Sequence, residues 1–183
     1  GKNVALNGVL EKVEADIFII SDADANVCPG WLDVVRSRLG DSEIGVVSGV
    51  ENVDSGGLGK LNSYYRSKSN WLRIQESRKD STPVLEGSLL AWKTKSLGPL
   101  KILEDMNADD AQIGFWAIRR GFRSIVDPRI SFEGFENRDR TAAESIRRSQ
   151  GLSIALFRNA DLVFRATRKK SRGATFNAAF LYL

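Results

Sequence analysis

Two pairs of carboxylates are the residues of this chain whose type and spacing could do chemistry. The first is Asp22-x-Asp24, within IFIISDADANVCPGWL at residues 17–32. Alternate residues of extended chain point the same way, so both carboxylates can face one ligand at the tip of a strand. Two anionic groups held together repel unless a cation lies between them. Hard oxygen donors select magnesium, manganese or calcium, and such an ion completes its shell with phosphate oxygens and water. The plainer reading is a strand-to-loop turn in which the aspartates serve the backbone. The apolar run in front of them weighs against it. The second pair, Asp109-Asp110, opens the stretch DDAQIGFWAIRR. Alone it reads as helix capping, because free N–H groups and the helix dipole favour carboxylates there. Together the pairs supply what metal-assisted group transfer needs. A cation neutralises a diphosphate leaving group, and a separately held carboxylate takes the proton of an attacking hydroxyl.

Composition narrows the field. The 183 residues suit one domain with an appendage. The absence of histidine excludes His-based proton relays and His-ligated metals. A lone cysteine, Cys28, excludes an internal disulfide and a thiolate zinc site. Residues 138–172 hold ten basic and three acidic side chains, a net +7, which leaves −3 for the rest of the chain. That asymmetry calls for an anionic partner. There is no signal peptide and no apolar run of the roughly 20 residues a membrane span needs. The expected setting is the cytoplasm, at the cytoplasmic face of a membrane. The opening GKNVALN and closing NAAFLYL both read as cuts from a longer protein.

The elements that must position the carboxylates follow from periodicity. Residues 3–14 and 31–39 have helical apolar spacing. Residues 16–21 and 44–50 are continuous apolar runs that read as buried strands. DSGGLG is a turn, and residues 61–78 form a long polar helix carrying Tyr64, Tyr65 and Trp71. VLEGSLLAWK reads as strand, turn, strand. Residues 109–120 form a helix with Ile113, Phe115, Trp116 and Ala117 inward, closed by Gly121 in a left-handed cap. FRSIVDP is a strand stopped by Pro128, and residues 142–170 are helical and basic. Helices alternating with buried strands make an α/β domain.

Four of these stretches, in this order, resemble the inverting nucleotide-sugar glycosyltransferases of family 2. GKNVALNGVL is similar to the family's Gly-Lys-x-x-Ala-Leu-Asn helix, and IFIISDADANVCPGWL to its strand ending in Asp-x-Asp. EGSLLAWKTKSL, with Gly87, resembles the acceptor-side strand. ADDAQIGFWAIRRGFRSIVDP resembles the acidic-pair helix and the strand after it. The resemblance implies a GT-A-like, truncated Rossmann-like mixed sheet flanked by helices, with a basic helical C-terminal segment. Residues 1–137 would be the catalytic core and residues 138–183 a basic, membrane-proximal segment. By position, Asp22 would contact the nucleotide sugar and share a Mg2+ or Mn2+ ion with Asp24. Asp110 would be the general base, with Asp109 beside it and Lys2 near the nucleotide. The family's Gln-x-x-Arg-Trp motif falls on ESIRR, where Arg147 matches while Glu144 and Arg148 replace Gln and Trp. That departure argues against processive polymer synthesis, yet Arg147 and Arg148 could still hold a diphosphate. The family's first strand and helix, which hold the base and ribose, have no counterpart before GKNVALN.

The partners implied are a nucleotide-diphosphate sugar, a lipid-linked or glycan acceptor and a membrane surface. Nucleic acid is not expected, because aromatics are not interleaved with the basic residues of the C-terminal segment. Two rivals remain. A haloacid-dehalogenase-type phosphatase also carries Asp-x-Asp after an apolar strand, but needs a later acidic pair at the end of another strand. A non-catalytic binding module derived from a glycosyltransferase is the other.

Overall fold

The apolar run near residue 44 becomes β3 (Ile44–Glu51), the middle strand of a five-stranded sheet. It is buried from Ile44 to Val50, as a run with no polar alternation requires. The structure, a computed structural model, describes residues 1–52, 60–133 and 142–165, with backbone alone at 60–63, 142–145 and 163–165. β4 (Leu89–Lys93) pairs antiparallel with β3 on one side, and β5 (Arg123–Glu133) pairs parallel on the other. β1 (Ile17–Ser21) lies antiparallel outside β4, and the two-residue β2 (Asn26–Val27) outside β5. β1, β3 and β5 therefore run the same way, and their C-terminal ends open on one edge. β4 starts at that same edge.

Helices cover both faces. α1 (Lys2–Lys12), α3 (Lys60–Lys79) and α5 (Asp109–Arg119) lie on one face. There Leu6, Leu10, Ile74 and Ile113 meet Val46, Val50, Leu90 and Trp92. α2 (Trp31–Gly40) packs Val35 and Leu39 on the other, against Val47, Leu89 and Ala91. Neighbouring strand residues thus serve opposite cores, the period-two consequence of the pleat. A single turn, α4 (Thr94–Leu97), follows β4. α6 (Ala142–Arg158) and α7 (Ala160–Arg165) pack on α5 through Ala155, Leu156 and Leu162 against Ala111, Phe115 and Ile118.

Four sequence expectations change. The run before Asp22 reads as a buried strand, but β1 is a half-exposed edge, because only β4 pairs with it. Residues 84–86 are not a strand. Instead of joining a ladder, this stretch bonds to a side chain: the Ser48 hydroxyl donates to the Glu86 carbonyl (2.9 Å) and accepts its N–H (3.1 Å). Pro128 does not end β5. It falls where the β3–β5 register shifts between Ser48 and Val50, so its missing N–H breaks no ladder bond. The helix at residues 142–170 is broken at Asn159 into α6 and α7. Gly121, at φ 84°, is the left-handed residue after α5. The DSGGLG turn and the cations Arg168, Lys169, Lys170 and Arg172 lie outside the described residues. Among the described residues no helix is long and apolar enough to cross a membrane.

Candidate active site

The edge where β1, β3 and β5 end is hollowed into a cavity of about 900 Å³. That is near the upper end of the roughly 300–1,000 Å³ typical of small-molecule sites. Lys2, Asp22, Asp24, Gly87, Asp109, Asp110, Arg147 and Arg148 all line it. Topology explains the gathering. Asp22 and Asp24 follow the last residue of β1, Glu86 to Ser88 precede β4, and α1 and α5 start at this edge.

Asp22 is fixed by β4's approach. Its N–H donates to the Ser88 carbonyl at 3.1 Å, and the Ser88 hydroxyl donates to its Oδ2 at 3.1 Å. The second pair is placed by Ala108, which caps α5 in the left-handed region at φ 67°. The capping position itself is therefore Ala108, and the two aspartates occupy the first turn. Asp110 Oδ1 accepts the Ala111 N–H at 2.8 Å. Asp109 turns to Lys2, whose Nζ lies 3.1 Å from Asp109 Oδ2 and 3.6 Å from Asp22 Oδ1. One ammonium thus joins the two carboxylate pairs.

Lys2 reaches that point because α1 is pinned. Asn7, buried, donates to the Ile102 carbonyl at 2.8 Å and accepts the Ile102 N–H at 2.9 Å. Asn3 donates to the carbonyls of Leu103 and Met106. α5 is seated by Gly114, where an added Cβ would lie 2.4 Å from the Pro83 carbonyl oxygen. That close approach brings Gly87 beside Asp110, with a Cβ at Gly87 falling 3.4 Å from Asp110 Oδ2.

The electrostatics separate the two carboxylates of the second pair. Burial pushes the Asp110 carboxyl up to about 6, and the Asp109 and Glu86 carboxylates push the same way, against the Ala111 N–H and Arg73. A carboxylate poised there suits proton abstraction near neutral pH. Burial pulls the Lys2 ammonium down, but Asp109, Asp22 and Asp110 outweigh it and hold it above its ordinary value.

The α3 wall was not anticipated. Tyr65, Arg66, Asn70 and Arg73 line the cavity, with Arg66 paired to Glu51 and Arg73 Nη1 2.6 Å from Glu86 Oε2. The available signal was a helix with arginines seven residues apart, facing a glutamate stranded in the apolar VLEGSLL. Arg147 and Arg148, exposed on α6, also line the cavity, and the Glu144 side chain lies outside the described residues.

A mixed sheet with helices on both faces and acidic residues beyond its parallel strand ends is the GT-A glycosyltransferase architecture, the fold class expected. The match to a solved structure is specific. The mannosyltransferase PcManGT from Pyrobaculum calidifontis, in complex with GDP-Man and Mn2+, has a TM-score of 0.72, 26% identity and 98% coverage of this chain. The chain spans 48% of that protein. No family model and no curated protein sequence matches.

The donor set fits a hard divalent cation. Asp22 and Asp24 offer carboxylate oxygens at the cavity wall, and no nitrogen or sulfur ligand lines it beside them. Among the described residues no three acidic, histidine or cysteine side chains converge. Such an ion, held there, would take two carboxylates from the chain and complete its shell with phosphate oxygens and water.

Proposed function

We propose that this chain transfers a sugar from a nucleoside-diphosphate sugar to a hydroxyl acceptor, with inversion. The observation that carries the reading is the convergence of both carboxylate pairs, joined by Lys2, in one cavity of a GT-A fold. The similarity to a structure holding GDP-Man and Mn2+ supports it, and makes GDP-mannose the first donor to test.

In this reading Asp22 and Asp24 hold Mg2+ or Mn2+, which when bound supplies positive charge to the donor diphosphate. Lys2 lies near the nucleotide. Asp110 accepts the proton of the acceptor hydroxyl, and Asp109 keeps Lys2 in place. The acceptor oxygen forms its bond to the anomeric carbon as the bond to the phosphate oxygen breaks. The electron pair leaves with the nucleoside diphosphate, where Arg147 and Arg148 face the growing charge. Attack opposite the leaving group inverts the anomeric centre. The acidic pair opens a helix rather than ending a strand, which disfavours the phosphatase reading.

Donor binding and sugar transfer measured on Asp110→Asn and Asp24→Ala test the proposal. Asp110→Asn is expected to keep metal-dependent binding of the donor and lose transfer. Asp24→Ala is expected to lose both. Normal turnover in Asp110→Asn, or transfer indifferent to chelator in the parent chain, refutes the assignment.

A further inference from the structure

The side of α6 that reaches the cavity follows from its spacing. Arg147, Arg148, Gly151, Leu152 and Ala155 stand at i, i+1, i+4, i+5 and i+8, which is one side of a helix. Arg147, Arg148 and Leu152 line the cavity, and Ala155 is buried in the cluster that joins α6 to α5. Gly151, between them, is where α6 crosses the corner before α5. A Cβ there would lie 3.0 Å from both the carbonyl carbon and the Cβ of Asn107, and 3.1 Å from the Asn107 carbonyl oxygen. Asn107 also lines the cavity, and it precedes Ala108, the left-handed residue that leads into Asp109 and Asp110. Glycine inside a helix is destabilising relative to alanine, so the close approach is the physical reason for it here.

Residues 146–150 are exposed, so burial does not hold the stretch that carries the two cations. The hold lies further along, at the corner between α6 and α7. Arg119, the last residue of α5, donates from Nε to Asn159 Oδ1 at 2.9 Å. Its Nη1 and Nη2 donate to the Asp161 carboxylate at 3.1 and 2.6 Å, and Nη2 also reaches the Arg158 carbonyl at 3.4 Å. A guanidinium forked onto a carboxylate fixes direction as well as distance. The 11 residues of α5 span roughly 16 Å. One helix therefore carries the acidic pair at its start and, at its end, the group that seats the helix bearing Arg147 and Arg148.

We propose that Arg119 and Gly151 are positioning residues for the cavity. Arg119 latches the α6–α7 corner to the far end of α5, and Gly151 lets α6 lie flush on Asn107. Together they set Arg147 and Arg148 in the cavity that holds both carboxylate pairs. That these cations serve a donor diphosphate rests on the sugar-transfer reading; the latch itself does not.

Two measurements on the whole chain test this. The first is hydrogen exchange without ligand. Arg119→Gln should speed exchange of the α6 amides about fivefold to tenfold, the ion pair being half exposed, and leave α2 and the sheet as in the parent. The second is transfer kinetics with GDP-mannose and Mn2+. Arg119→Gln should raise the donor KM by a similar factor with kcat within about twofold of the parent. Gly151→Ala should raise the same KM about threefold or more, although alanine is the better helix former. Arg119→Glu combined with Asp161→Arg should restore part of both the protection and the KM. In a chain already carrying Arg147→Gln and Arg148→Gln, Arg119→Gln should raise KM no further, because it acts through those two residues. Unchanged exchange in α6, faster exchange throughout the chain, a loss of kcat without a change in KM, or an equal KM effect with and without Arg147 and Arg148 overturns the proposal. A parent chain that neither binds GDP-mannose nor transfers, with α6 exchange still set by Arg119, upholds the latch and overturns the reading of the cavity.

Discussion

Asp110→Asn separates two properties that the cavity couples. Burial, with Asp109 and Glu86 behind it, takes this carboxyl from 3.8 to about 6. A tenfold change in proton affinity is worth about 1.4 kcal/mol, so keeping Asp110 ionised in the fold at neutral pH costs about 3 kcal/mol relative to the unfolded chain. The sign follows from linkage. The folded value lies above the unfolded one, so the folded state holds the extra proton between them, and this group's contribution to stability falls as pH rises from about 4 to about 6. Asparagine has no charge to desolvate, and its Oδ1 can still accept the Ala111 N–H. The variant should therefore be more stable than the parent by about 2–3 kcal/mol near pH 7.5, and equal to it near pH 3.5. At about 2–4 °C per kcal/mol for a chain this long, that is a rise in Tm of roughly 4–12 °C. Thermal melts followed by circular dichroism across the pH range read the difference directly. Transfer should fall by about 10²–10⁴ in the same protein. A Tm gap that does not change with pH, or a variant less stable at neutral pH, would refute the account of Asp110 as a buried, charge-crowded carboxylate.

Further outcomes are expected. The acid limb of kcat/KM should titrate at about 6, the value of Asp110, with activity lost as pH falls through it. Asp109→Asn removes the nearest like charge and should move that limb to lower pH, as Glu86→Gln should to a smaller extent, both seen in pH–rate profiles. Gly114→Ala places a methyl against the Pro83 carbonyl and should cost about 1–3 kcal/mol in denaturant unfolding. Asn7→Ala strands the Ile102 N–H and carbonyl and should cost about 2–3 kcal/mol. By loosening α1 it should also raise the KM for donor more than it lowers kcat.

The four aspartates of the cavity, Asp22, Asp24, Asp109 and Asp110, were legible because their signals are local. An apolar run that stops at Asp22 announces a strand end, and an acidic pair before a helical pattern announces a helix start. Lys2, Gly87, Arg147 and Arg148 came from the family resemblance, and the topology brings them to the same edge. What stayed hidden depends on tertiary pairing. Arg66 meets Glu51 and Arg73 meets Glu86 across gaps of 15 and 13 residues that no periodicity marks. The exposure of β1 could not be read from IFII, because a continuous apolar run does not say whether one neighbour or two will pair with it. Pro128 misled for a related reason: a proline ends a strand only where its N–H would have been used, and the register shift lies in β3 as much as in β5. Asn7 was noticed as one letter of a motif; its bonds to Ile102, 95 residues away, are what give it a physical role.

The costs of this fold collect in one place. Lys2 sits in the first turn of α1, where the helix dipole disfavours a cation, and no acidic residue of that turn compensates it. Ala108 holds a left-handed conformation that costs an L-residue about 1–2 kcal/mol. Asp109 and Asp110 are adjacent like charges, and one of them is held ionised against burial. Each has a local remedy: an acid at position 2, glycine at 108, asparagine at 110. The remedies at positions 2 and 110 also take a charge away from the same cavity, which all four residues line. A groove of no consequence gives no reason for such costs to gather, whereas sites that bind and react are where local consistency is given up. The bonds that hold Asn3 and Asn7 to residues 102–106 belong to the same argument. They keep α1 docked with its lysine pointing into the charge cluster, so the misfit at Lys2 cannot relax by the helix swinging away.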